Sequence, residues 1–258
     1  MKRKALITST AILLVAIMCL ATASYAWFTA GQTAKINGFN LSITQSDSAI
    51  QLAPVSKDGT QVGAYKNSLT KASWGSGWAV MSDVFVPVSS ADGENFFPVG
   101  EYQNDTWTSV DAAAEGYLYF KFNVKAPAAG TATLTFTAGG EKGADTFQSA
   151  AKLAVAVGDE AMNIYDLDVD ANDSYQPMTA KGAVCEKNAQ GYFVPVAQTG
   201  FAAARTQTAV PSVTVDFDAA GVQTVTVAYW VEGMDTDCQG NWKLDGQTLD
   251  LDFTWAAA

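Results

Sequence analysis

The chain of 258 residues has no histidine, only three cysteines, and 15 Lys+Arg against 26 Asp+Glu, a formal net charge of −11. Each shortage excludes something. Without histidine, Ser-His and Cys-His nucleophilic catalysis in their usual forms are ruled out, and so is the commonest zinc and copper ligand. The scarcity of basic residues argues against a nucleic-acid partner, whose phosphates are neutralised by Lys and Arg. Charged residues make up only 16% and hydrophobic residues 48%, which is the wrong balance for a disordered chain. The length suits one large β domain or two smaller ones. Two carboxylates, a Ser-Lys pair or a calcium site stay open as chemistry.

The N-terminal segment carries the most specific local signal. Lys2, Arg3 and Lys4 form a positive region, and Ala5 to Ala26 then runs without a charge. The run closes on Ser24-Tyr25-Ala26, with small residues placed for cleavage between Ala26 and Trp27. The expectation is a signal helix over residues 1–26, removed on export. The alternative is a retained anchor, since about 20 apolar residues span a bilayer; in that case the uncleaved leader is the chain's contact with a membrane. The run is diluted by Thr8, Ser9, Thr10, Thr22 and Ser24, which favours cleavage. Cleavage leaves 12 basic and 26 acidic residues, a net −14. Export also places Cys185 and Cys238 in an oxidising setting. A bond between them closes a loop of about 54 residues, worth roughly 4 kcal/mol on the chain-entropy model; two buried thiols are the other reading. The sequence ends at Trp255-Ala256-Ala257-Ala258 with neither a second apolar span nor an LPxTG-like sorting signal, so a cleaved chain is expected to be free of covalent anchors.

Period-two alternation recurs through residues 27–258. Phe39, Leu41 and Ile43 face one way. So do Leu118, Phe120, Phe122 and Val124; then Ala132, Leu134 and Phe136; then Leu153, Val155 and Val157. Val213, Val215 and Phe217 follow, then Val225, Val227, Tyr229 and Val231, then Leu249, Leu251, Phe253 and Trp255. Strands that bury one face and wet the other belong to antiparallel sheets. Turn signals separate them, among them Asp58-Gly59, Asp92-Gly93 and Asp245-Gly246. Short helical pieces are expected near Val110–Glu115 and Thr146–Lys152. The expected fold is all-β, an antiparallel β-sandwich, jelly-roll-like, as a single domain over 27–258 with long loops at about 45–111 and 165–209.

Three constellations bear on chemistry. Asp166, Asp168, Asp170 and Asp173 resemble a calcium loop, but an EF-hand starting at Asp166 needs glycine and glutamate where Ala171 and Pro177 stand. A looser calcium site is the weaker reading and a solvated acidic loop the stronger. Glu232, Asp235 and Asp237 follow a strong strand; paired carboxylates there suit acid-base work, and a turn accepting backbone hydrogen bonds is the plainer account. Trp74, Trp78 and Trp107 lie in loop-like segments and are the candidates for glycan contact, against the commoner role of tryptophan in a β core. None makes a catalytic constellation, so the protein is read as a non-enzyme.

Two segments resemble known exported proteins. Leu13 to Thr29, LLVAIMCLATASYAWFT, resembles the leaders of Gram-positive proteins processed by a SipW-type signal peptidase, a class that includes the TasA/camelysin biofilm-matrix proteins. Tyr229 to Cys238, YWVEGMDTDC, is similar to a W-[LV]-E-G-x-D-x-x-C string of clostridial exported proteins with that leader; the fibre-forming TasA departs from it. The resemblance implies a secreted cell-surface or extracellular-matrix structural subunit with a jelly-roll-like fold. It implies partners of two kinds: signal peptidase during export, then copies of itself or related matrix subunits. It also implies fibre growth by strand exchange, in which Trp27 to Thr44 of one subunit completes a sheet of the next and Phe39, Leu41 and Ile43 supply the inserted side chains. The same segment reads equally as the first strand of its own sheet. An adhesin or carbohydrate-binding module is the second functional class, and an exported hydrolase the third and weakest.

Overall fold

The computed structural model describes residues 34–35, 40–45, 50–75, 80–81, 84–85, 88–98, 102–103, 106–107, 116–139, 150–167, 185–187, 193–195, 205–233, 235 and 248–258. Twelve strands build the two main sheets. They are β1 (Asn40–Gln45), β2 (Gln51–Val55), β3 (Ser68–Thr70), β4 (Val80–Met81), β5 (Leu118–Ala126) and β6 (Gly130–Gly139). The others are β7 (Ala151–Val157), β8 (Asn163–Asp166), β9 (Arg205–Gln207), β10 (Ser212–Phe217), β11 (Gly221–Val231) and β12 (Thr248–Ala257). The chain is all-β: among the described residues the one helix is a single 3-10 turn, Lys71–Trp74. None of the described helices is long and apolar enough to cross a membrane.

The seven-stranded sheet runs β9-β8-β7-β11-β5-β2, with β4 continuing the edge of β5 beyond β2. The five-stranded sheet runs β10-β6-β12-β1-β3. Pairing within them is antiparallel except β1 with β12 and β8 with β9. Short two-stranded pairs lie outside them, including Val88–Ser89 with Phe97–Pro98 and Cys185–Lys187 with Phe193–Pro195.

The alternation sets the register. On β6, Ala132, Leu134 and Phe136 point inward and oppose Trp255, Phe253 and Leu251 of β12. Their outward neighbours form polar rungs: Thr131 Oγ1 donates to Asp216 (2.7 Å) and Thr44 Oγ1 to Asp252 (2.6 Å). Inward residues of both sheets share one core, and Phe122 of β5 meets Phe253 of β12 edge-on at 5.8 Å between ring centroids. Buried apolar area of this kind is the main stabilising contribution, at about 25 cal/mol per Å².

The wet outer face expected of every strand fails on the seven-stranded sheet. Strand β7 is buried on both faces until its last residue. The outer face carries a second apolar cluster in which Val88 and Phe96 cover Tyr117, Tyr119, Ala154, Ile164, Ala228 and Trp230. The covering segment lies within the stretch read as a long loop. It packs closely because Gly93, at φ +73°, sits where a Cβ would come within 2.6 Å of the Ala154 methyl. Of the two short helical pieces expected, Val110–Glu115 lies outside the described residues, as do residues 146–149 of the second; the end of the second is strand, with Ala151 and Lys152 opening β7.

Candidate functional site

The strongest chemical feature grows from the segment Trp230-Val231-Glu232-Gly233-Met234-Asp235. Tyr229 and Val231 of β11 face the central core, so Trp230 between them faces outward, opposite Lys152 of β7. Lys152 in turn stands opposite Asp166 of β8. Antiparallel partners directly opposite share a face, which gathers Trp230, Lys152 and Asp166 on one surface of the sheet. Beyond β11 the chain turns. The Glu232 amide donates to the Ala150 carbonyl (2.8 Å), the Gly233 amide to Val88 (2.9 Å) and the Asp235 amide to Glu232 (3.1 Å). This turn returns Asp235 over Lys152.

The result is a cluster of buried charge. Lys152 Nζ donates to Asp166 Oδ1 at 2.7 Å and to Asp235 Oδ2 at 2.6 Å. Lys152, Asp166 and Glu232 have no exposed surface, and Asp235 keeps 4%. Glu232 Oε2 accepts from the Trp230 indole N–H (3.1 Å) and the Ser90 amide (3.2 Å), which locks the covering segment to the end of the sheet. Isolated charges so placed are strongly unfavourable and persist only when paired and hydrogen-bonded. Burial alone pulls the Lys152 pKa down, but the adjacent Asp235 and Asp166 carboxylates outweigh it and hold the ammonium above the usual lysine range.

The segment that covers the outer face, and meets this cluster at Glu232, is a structured turn. Asp92 accepts from the Glu94 amide (2.8 Å), the Asn95 amide (2.7 Å), Asn95 Nδ2 (2.6 Å) and Ser90 Oγ (3.2 Å). Partial burial raises the Asp92 pKa, and these hydrogen bonds more than offset it, leaving the carboxyl below its ordinary value. Phe96 stacks on Tyr117 at 3.9 Å and meets Trp230 edge-on at 5.5 Å.

The sites read from sequence fare differently. Asp166 is a buried strand residue whose carboxylate meets the Lys152 ammonium, so it does not stand in a solvated loop. Its companions Asp168, Asp170 and Asp173 lie outside the described residues. Among the described residues no group of three or more His, Cys, Asp or Glu is placed to hold a metal ion. Trp74 is corrected as a glycan contact: it is fully buried, donates from its indole N–H to the Lys121 carbonyl (2.7 Å), and packs edge-on against Phe120 (5.1 Å). Trp78 and the Trp107 side chain lie outside the described residues, as do Ala26, Trp27, Phe39, Asp237, Cys238 and the Cys185 side chain. Leu41 and Ile43 are buried in the chain's own five-stranded sheet. Glu232 and Asp235 were visible in sequence as an acidic group after a strand. Lys152, their counterpart, was missed; its signal was a lone charge inside the apolar strand AKLAVAV.

Fold and site together define an all-β protein whose larger sheet is closed on its outer face by a turn anchored through buried charge. No protein-family model, curated protein or solved structure matches the chain.

Proposed function

We propose that this protein is an extracellular structural subunit, a jelly-roll-like β-sandwich that associates with copies of itself or with related matrix subunits and turns over no substrate. The observation that carries the reading is the position of β1. It is a six-residue strand near the N-terminus, set between β12 and the three-residue β3. Leu41 and Ile43 fill core positions, each worth about 1.5–3 kcal/mol of burial. Withdrawing β1 opens the edge of β12 and two core sites, and the same six residues of a second copy satisfy both. Exchange of an identical element is a low-cost route to association, and main-chain ladder bonds supply much of the affinity in strand addition. The leader and the WVEGMDTDC segment agree with export. In this reading the buried carboxylates serve the fold.

The test is to purify the chain beginning at Trp27 and image it by electron microscopy at high concentration, across pH, salt and calcium. Filaments or ordered oligomers are expected. A chain that stays monomeric under all these conditions refutes the proposal.

A further inference from the structure

We propose that Lys152 and Asp235 condense within the folded chain into an intramolecular side-chain amide, Nζ to Cγ, with Asp166 carrying the proton. The inference rests on the buried cluster alone and is independent of the fibre reading.

Three features point to it. The amine and two carboxyl groups are already in contact, at 2.6 and 2.7 Å. Well-oriented intramolecular reactants of this kind reach effective molarities of about 10⁵–10⁸ M. Secondly, the groups are buried: Lys152 and Asp166 have no exposed surface and Asp235 keeps 4%. In bulk water two solvated ions and excess water hold the condensation back. In this site the product replaces the buried Lys152–Asp235 ion pair by one neutral amide, whose N–H stays beside Asp166 as its hydrogen-bond donor. Thirdly, one amine faces two carboxylates, so one is available as acyl partner while the other moves protons.

The Lys152 ammonium gives a proton to Asp166, leaving a neutral amine. Its lone pair attacks Asp235 Cγ as Asp166 returns that proton to an Asp235 oxygen, and the new N–C bond forms. Asp166 then takes a proton from the bonded nitrogen and delivers it to the departing hydroxyl, which leaves as water. One ammonium and one carboxylate become one amide and one water, and Asp166 ends ionised as it began.

Asp235 is the acyl partner because it lies beyond the end of β11, outside the strands of the two sheets. Asp166 is held in the β7–β8 ladder, with the Thr208 amide on its own carbonyl (2.9 Å) and the next amide, Leu167, on Ala151 (3.3 Å). Asp235 is a bridge residue beyond β11, its amide on the Glu232 carbonyl. Closing from ionic contact to an amide bond of about 1.33 Å needs a shift that a residue outside the strands gives more readily than one inside a ladder. The bond joins positions 83 residues apart, fastening the turn after β11 to β7.

The experiment is mass spectrometry of the purified chain from Trp27, incubated folded, then denatured and reduced. The expected mass is lower than the sequence mass by one water, and digestion yields a branched peptide joining Lys152 to Asp235. Lys152→Arg and Asp235→Ala keep the full sequence mass. Asp166→Asn slows appearance of the branched peptide by about 10²–10⁴-fold, as loss of a proton-transferring group does. Cooperatively folded wild-type protein that retains its full mass overturns the proposal, with or without well-folded variants. A branch to Asp166 instead of Asp235 also overturns it.

Discussion

In the folded chain before the proposed amide has formed, replacing Lys152 by methionine keeps most of the side-chain volume and removes the charge that two buried carboxylates share. Asp166 and Asp235 reach the same nitrogen from 2.7 and 2.6 Å, so their oxygens lie no farther apart than the sum of those distances. Two unit charges about 5 Å apart repel by about 3 kcal/mol at an effective dielectric near 20. Breaking a buried pair by deleting one partner costs about 3–5 kcal/mol, since the other charge is left uncompensated. Lys152→Met is therefore expected to lose about 3–5 kcal/mol near pH 7. The assay is equilibrium urea unfolding followed by tryptophan fluorescence at neutral pH. A deficit below about 1 kcal/mol, against the expected 3–5, refutes a buried and mutually dependent cluster.

Trp230→Phe keeps the ring beside Phe96 but removes the donor to Glu232, and should cost about 1.5–3 kcal/mol in chemical unfolding; a cost inside the surface-substitution range of about 0.5 kcal/mol would show that bond to be idle. A double-mutant cycle of Phe122→Leu and Phe253→Leu should give a coupling of about 0.5–1.5 kcal/mol, and additive effects would contradict the edge-on contact between the two sheets. Burial raises the hydroxyl pKa of Tyr117, Tyr165 and Tyr229, and burial with the Glu94 charge nearby raises that of Tyr119. Their contribution is complete below the unfolded value near 10 and is lost as pH climbs through the higher folded values, so stability measured by thermal melts should fall on the alkaline side. If the leader is removed, subunits of net −14 repel one another, and light scattering should show assembly promoted by salt, divalent cations or lower pH; fastest assembly at low ionic strength and high pH would contradict this.

Much of the strand framework was legible because its cause is local. Leu118, Phe120 and Phe122, or Leu249, Leu251 and Phe253, alternate with polar neighbours, and a pleated strand turns that alternation directly into an inner and an outer face. The covered outer face was not legible. Val88 and Phe96 meet Ala154 and Trp230 across long separations, and nothing in the spacing of AKLAVAV says which of its two faces gains a roof. Small alanines at the outward positions are the trace that it does. The cluster was half legible for the same reason. Glu232 and Asp235 stand close together after a strand, whereas Lys152 comes to them only through the β7–β11 pairing. Trp74 misled in the other direction: its loop-like neighbours Gly75 and Ser76 suggested exposure, while the indole itself plugs the core beside Phe120.

The parallel pairing of β1 with β12 has a mechanical meaning. Asn40 pairs with Thr248 and Gln45 with Phe253, so the two strands enter the sheet at the same end. A pull on the chain ahead of Asn40, opposed by a pull behind Ala257, drags the strands past each other along their common axis. All six paired positions then bear the load together, in shear, instead of opening one after another like a zipper. Under tension the lifetime of the fold is set by the barrier to unfolding, not by equilibrium stability. A chain arranged in this way holds its two terminal strands together most firmly in the direction in which a linked series of such units would be stretched.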